Sequence, residues 1–133
     1  MLEAYSVDLA VTANSNITFN TTRLLTNDVA LLKSDGQTIA LRKAGIYKVE
    51  VYASGAPTAE GSIKLQLYGN NNEVIVPAVA EADAGAGVAQ SISFASFIKV
   101  QPSVSVNEAQ LTLKYEGGAG SLSIVNILVT KVR

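Results

Sequence analysis

Apolar residues fall at every second position along much of this chain, and no segment of useful length shows the three-to-four spacing of a helix face. Tyr5, Val7, Leu9 and Val11 alternate with Ser6, Asp8, Ala10 and Thr12. The same pattern returns at Tyr47, Val49 and Val51, at Ile63, Leu65 and Leu67, and at Leu111, Leu113 and Tyr115, with Lys48, Glu50, Lys64, Gln66, Thr112 and Lys114 between them. Successive side chains of a strand point to opposite faces, so each segment predicts a strand with one face on a core and the other toward water.

Two stretches depart from alternation. Val88 to Val100 carries Ile92, Phe94, Phe97 and Ile98 on both faces, and Leu122 to Val132 carries Ile124, Val125, Ile127, Leu128 and Val129 almost without interruption. A strand apolar on both faces is covered on both. In a sandwich the opposite sheet covers one of them, and a neighbouring subunit is expected on the other.

Turn chemistry separates the segments. Asp35-Gly36 lies between Val29–Leu32 and Thr38–Arg42, Gly69-Asn70-Asn71-Asn72 between Ile63–Tyr68 and Glu73–Val79, and Gly117-Gly118-Ala119-Gly120 between Leu111–Glu116 and Leu122–Val132. These residues tolerate the positive φ of tight turns. Longer loops are expected at Ser54–Gly61 and at Glu81–Gly87. With no internal repeat and no linker, residues 1–133 read as one all-β domain, a two-sheet antiparallel jelly-roll sandwich of about ten strands.

Composition narrows the chemistry. The chain has no Cys and no His, so disulfides, thiolate metal sites, thiol nucleophiles and the commonest general base are excluded. Ten Lys and Arg balance eleven Asp and Glu without a basic patch, which argues against nucleic acid. No apolar run approaches the length of about 18 residues that spans a bilayer, so no membrane insertion is expected. The N-terminus, Met1-Leu2-Glu3-Ala4-Tyr5, lacks a basic region and a long apolar stretch, so synthesis in the cytoplasm without a recognisable signal peptide is expected. Charged residues make up 16% of the chain, against an average of about 25%. A small domain so poor in charge exposes apolar surface unless subunits cover it.

Short motifs add a family. Ile17-Thr18-Phe19-Asn20, then Asp35-Gly36-Gln37-Thr38-Ile39, then Lys43-Ala44-Gly45-Ile46-Tyr47 running on through Val49-Glu50-Val51-Tyr52-Ala53-Ser54-Gly55, resemble the C1q/TNF-like jelly roll. In that family a short Phe-Asn strand precedes a hairpin, and a Gly-hydrophobic-Tyr strand then enters the core. Leu65-Gln66-Leu67-Tyr68-Gly69-Asn70 resembles a later strand and turn, and Ser121 to Val132 the closing strand. The resemblance implies a ten-stranded jelly roll and a tight homotrimer around an inner sheet. The chain lacks the collagen-like stalk, Cys and Trp of the animal proteins; its Asn/Thr/Ser-rich style is similar to stalkless bacterial or phage versions, which sit at the ends of fibres or spikes.

Candidate sites are few. Lys99 near Ser96 and Lys114 near Thr112 are base-and-hydroxyl candidates by nearness in sequence alone, and such pairs abound on solvated strands, so no catalytic residue is assigned. Glu81 and Asp83, beside Gly85 and Gly87, supply only two carboxylates, an incomplete calcium shell, and neither a metal nor a cofactor is expected. Asn16-Ile17-Thr18 and Asn20-Thr21-Thr22 match the glycosylation sequon, which matters only in a secreted eukaryotic protein. Tyr5, Tyr47, Tyr52, Tyr68 and Tyr115 could stack on a glycan, but strand tyrosines more often pack inward.

The expected protein is therefore not an enzyme but a structural or attachment module. It forms a homotrimer on a virion or cell surface, as a phage or prophage fibre, spike or decoration protein. Its partners are itself and then other virion or cell-surface proteins or a surface glycan. A soluble carbohydrate- or receptor-binding lectin-like domain is the alternative. Phe94, Phe97, Tyr115, Ile124 and Ile127 are the residues expected at the threefold contact.

Overall fold

The computed structural model describes residues 1–25, 29–101 and 109–133. They form eleven strands: β1 (Leu2–Val11), β2 (Ser15–Asn16), β3 (Thr21–Leu25), β4 (Ala30–Leu32), β5 (Thr38–Leu41), β6 (Gly45–Pro57), β7 (Gly61–Tyr68), β8 (Val74–Ala84), β9 (Gln90–Val100), β10 (Ala109–Tyr115) and β11 (Gly120–Lys131). The one helical piece among the described residues is the single 3-10 turn Asn70–Asn72 between β7 and β8. A five-stranded sheet runs β3-β1-β11-β6-β9, and a six-stranded sheet runs β4-β5-β10-β7-β8, with β2 pairing the end of β10. Every pairing is antiparallel. The two-sheet jelly-roll expectation is therefore met.

The core lies between the sheets and is built by alternation. Tyr47, Val49, Val51 and Ala53 of β6, and Val125, Ile127 and Val129 of β11, face Ile63, Leu65 and Leu67 of β7 and Leu111, Leu113 and Tyr115 of β10. Each fully buried Leu or Ile contributes roughly 1.5–3 kcal/mol. Buried tyrosines keep their hydroxyls satisfied: Tyr47 Oη donates to the Lys43 carbonyl at 2.7 Å and Tyr115 Oη to the Gly118 carbonyl at 2.5 Å.

The turns form where glycine permits. Gly36, at φ +72°, closes the β4–β5 hairpin. Asp35 fixes that hairpin: its Oδ1 accepts the Gln37 and Thr38 amides at 2.9 Å, and its Oδ2 the Thr38 hydroxyl at 2.8 Å. Gly117 lets the chain cross from β10 to β11, since a Cβ there would lie 2.4 Å from the Ser62 carbonyl oxygen.

Three expectations change. Ser54–Pro57 extends β6 and Glu81–Ala84 extends β8, so both long loops shrink to short turns. Residues 17–20 are not a regular strand, although Ile17 and Phe19 are buried and their amides donate to Leu113 and Gly36 carbonyls. In the first half of β1 the faces are reversed: Leu2, Ala4 and Ser6 point into the core, while Tyr5 and Val7 point out. The cause is a pair of facing bulges. Asp8, at φ +50°, has no partner between Val7↔Ile124 and Leu9↔Leu122, and neither does Ser123. Beyond them Leu9 and Val11 return to the core side.

Candidate self-association face

The two sheets show different surfaces to the outside. On the five-stranded sheet, register aligns outward side chains in rows across β1, β11, β6 and β9. One row is Val7, Ile124, Ser54 and Ser91; the next is Tyr5, Asn126, Tyr52 and Ser93; a third is Glu3, Leu128, Glu50 and Ala95. Thr130, Lys48 and Phe97 continue toward the other end of the sheet. Val7, Tyr52 and Phe97 are 51%, 45% and 65% exposed, so this face carries large uncovered apolar groups.

Its charges are mostly paired among themselves. Lys48 Nζ lies 2.8 Å from Glu50 Oε1. Glu3 accepts Arg23 Nε at 2.6 Å on one oxygen and Asn126 Nδ2 at 3.0 Å on the other. Those two bonds, Asn126 first and Arg23 second, hold the Glu3 carboxyl below the ordinary carboxylate range.

The outward face of the six-stranded sheet is polar across β7 and β10. Lys114 Nζ sits 4.6 Å over the Tyr68 ring, Tyr68 donates its hydroxyl to Glu116, and Lys64 Nζ lies 3.6 Å from the same carboxylate. Beside it, Gln66 is buried with its amide donating to the Leu67, Ile75 and Ala78 carbonyls at 3.1, 2.7 and 3.1 Å. There β8 swings away from β7, for Gln66 pairs Val79 but Tyr68 pairs Val74. The bulge lifts Val76 to 72% exposure, with Val74 and Val79 exposed nearby.

The residues expected at a threefold contact divide. Phe97 and Ile124 lie on the outward face of the five-stranded sheet. Ile127 and Tyr115 do not: they are 0% and 1% exposed in the intersheet core, so the expectation for them is corrected. Their alternation faces the opposite sheet, and a neighbouring subunit cannot reach them. Phe94 is corrected as well, since it points inward with Ile92 and packs partly buried against the core. Sequence reasoning missed Tyr5, Val7, Tyr52, Asn126 and Leu128. The continuous apolar run of β11 was the available signal, but assigning its faces needs the bulge at Ser123.

Other candidates scatter. Ser96 is buried and Lys99 exposed on opposite faces of β9, so the pair does not meet. Lys114 and Thr112 share the polar outward face. Glu81 and Asp83 line a shallow cleft with Glu60 and Gln90, and among the described residues no three acidic groups converge as a metal site would require. Asn16 and Asn20 are exposed. Of the tyrosines, Tyr47 and Tyr115 are in the core, Tyr5 and Tyr52 on one outward face and Tyr68 on the other, so the five do not form one platform.

No family model matches the chain, and no curated protein matches it. Solved structures do. The globular domain of zebrafish complement 1qA protein superimposes with a TM-score of 0.76 at 12% identity, over 99% of this chain and 96% of that one. Eiger TNF from S. frugiperda gives 0.69 at 13% identity, over 99% and 92%. Murine APRIL gives 0.64 at 10% identity, over 95% and 96%. The chain has a C1q/TNF-like jelly-roll fold.

Proposed function

We propose that this chain is a non-enzymatic structural or attachment module that closes into a homotrimer through the outward face of its five-stranded sheet. The observation that carries the reading is the row structure of that face, where Val7, Ile124, Tyr52, Leu128 and Phe97 lie together on rigid strands. An apolar surface of this kind is a cost in solution unless a partner covers it. Fold likeness to C1q and TNF domains supports three copies. A ring of three also needs two different patches on each chain, since a rotational contact other than a twofold is heterologous. The bulged edge of β8, with Val74, Val76 and Val79, supplies a second apolar surface. The finer reading is a stalkless module on a virion or cell surface, where a fold of paired strands with a buried subunit contact resists unfolding.

Light scattering at micromolar concentration tests the assembly. A mass of three chains is expected. A mass of one chain overturns the reading, and a mass of two keeps the covered face while discarding the threefold arrangement. Location among the genes of a tail or capsid cluster would support the virion setting, and location in a metabolic operon would count against it.

A further inference from the structure

The apolar face is interrupted along one line. Asn126 stands between Ile124 and Leu128 on the outward side of β11, the central strand of its sheet. Its neighbours in register are Tyr5 on β1 and Tyr52 on β6. The amide is not left to solvent: Nδ2 donates to Glu3 at 3.0 Å, and Glu3 is fixed from β3 by Arg23 at 2.6 Å. The Glu3 side chain is only 16% exposed, although Arg23 is 67% exposed. A polar chain therefore spans β3, β1 and β11 and holds one amide in place amid apolar residues.

Two features of this line concern contact between copies. Within the described residues no hydrogen bond occupies the Tyr5 or Tyr52 hydroxyls, and Asn126 Oδ1 accepts none. Covering the face would bury these groups, and a buried hydroxyl or amide without a partner is costly. Only an approach that brings polar groups of the next copy onto this row avoids that cost, whereas apolar neighbours tolerate sliding. A single polar residue inside an apolar contact is the best-attested means of fixing register and copy number.

We propose that the Tyr5–Asn126–Tyr52 row, held by Glu3 and Arg23, sets how many copies close together and in what register, and that the surrounding apolar residues supply only adhesion. This rests on the reading that the five-stranded face binds further copies of the chain.

Native mass spectrometry of the wild type, Asn126→Leu and Tyr52→Phe tests it. The wild type should give one stoichiometry. Asn126→Leu should still associate but spread over several, because adhesion remains and the register constraint is gone. Tyr52→Phe keeps the ring and removes one hydroxyl, so its dissociation constant should rise about three- to tenfold, the worth of one hydrogen bond. If Asn126→Leu keeps the single wild-type stoichiometry, the row does not select copy number and the proposal falls while self-association stands. If Asn126→Leu does not fold, Tyr52→Phe decides, and an unchanged dissociation constant overturns the proposal. A monomeric wild type overturns both this proposal and the reading beneath it.

Discussion

The outward faces of the two sheets are made from strands of similar length and pleat, yet they solve opposite problems. Across β7 and β10 of the six-stranded face the large polar side chains have intramolecular companions: Tyr68 has Glu116 and Lys114, Glu116 has Lys64, and Gln66 has three carbonyls, while Val74, Val76 and Val79 of the β8 bulge stay exposed. The five-stranded face confines its polar contacts to Glu3, Arg23, Asn126, Lys48 and Glu50 and leaves Val7, Tyr52 and Phe97 uncovered. Outside the β8 bulge the first surface is finished within one chain; on the function proposed above, the second is finished by further copies. An intersheet core of ordinary composition therefore says little about assembly; the difference lies in side chains one residue away from it.

The largest effect should appear within one strand. Ile127 and Leu128 are sequence neighbours on β11 that point to opposite sides. Ile127→Asp places a carboxylate in the core with no partner and should destabilise the chain by more than about 3 kcal/mol, enough to abolish soluble expression. Leu128→Asp should leave a folded chain with a β-rich circular dichroism spectrum but a mass of one copy. If both variants unfold, the outward face is part of the chain's own core requirement. If both assemble normally, the face is not an interface.

Next in size is Gln66, which belongs to the self-sufficient side of the comparison. Gln66→Leu has nearly the right shape but leaves carbonyls of Leu67, Ile75 and Ala78 without their donor. A loss of about 2 kcal/mol is expected in urea unfolding, because a buried acceptor without a partner bears its full desolvation cost. Faster amide exchange should be confined to residues 74–79. Loss of assembly in addition would show that the β8 bulge is itself a contact surface.

Acid should act on both halves through depressed carboxyls. Backbone hydrogen bonds from Gln37 and Thr38 hold the Asp35 pKa low, and Asn126 and Arg23 do the same for Glu3. A carboxyl with a lowered folded pKa contributes stability that is complete above its unfolded value and is lost as pH falls through the folded one. The melting temperature should thus decline below about pH 5. Asp35→Asn should flatten part of that decline without changing the particle mass. An acid limb identical to wild type would remove Asp35 from the account.

Much of this architecture was legible in the sequence, for a physical reason. Alternation over β6, β7 and β10 is a direct image of a half-buried strand, and Asp35-Gly36 and Gly117–Gly120 mark the turns that occur there. What was not legible was local and polar. Ser6 is fully buried where a hydrophobic pattern assigns it to solvent. It is paid for by its hydroxyl, which donates to the Thr18 carbonyl at 2.6 Å and accepts the Asn20 amide at 3.0 Å. No pattern of apolar residues foretells such a bond, nor the facing bulges at Asp8 and Ser123. Each shifts a strand by one residue, and one residue exchanges the faces. That exchange turns Tyr5 and Val7 away from the core their alternation predicts and sets Ile127 on the inward side, whereas Tyr115, on β10, lies beyond both bulges and is buried by the plain alternation of Leu111, Leu113 and Tyr115.

The smallest expected effect tests the comparison from its quiet side. Glu116 accepts from Tyr68 and lies 3.6 Å from Lys64, with the two ion-pair side chains 18% and 32% exposed. A pair this accessible to water is worth no more than about 1 kcal/mol, so Glu116→Gln should lower the melting temperature slightly, and less in high salt. The hydrogen bond to Glu116 also raises the Tyr68 pKa, with burial adding to it. A group whose folded pKa is raised contributes stability that is present below its unfolded value and lost as pH climbs through the folded one. The alkaline limb of stability should therefore be shallower in Glu116→Gln, though not absent, because burial raises Tyr47 and Tyr115 as well. Above all, the particle mass should not change, since every group involved is satisfied within its own chain. Were Glu116→Gln to dissociate the assembly while Leu128→Asp left it intact, the six-stranded face would be the contact and the roles of the two sheets would be reversed.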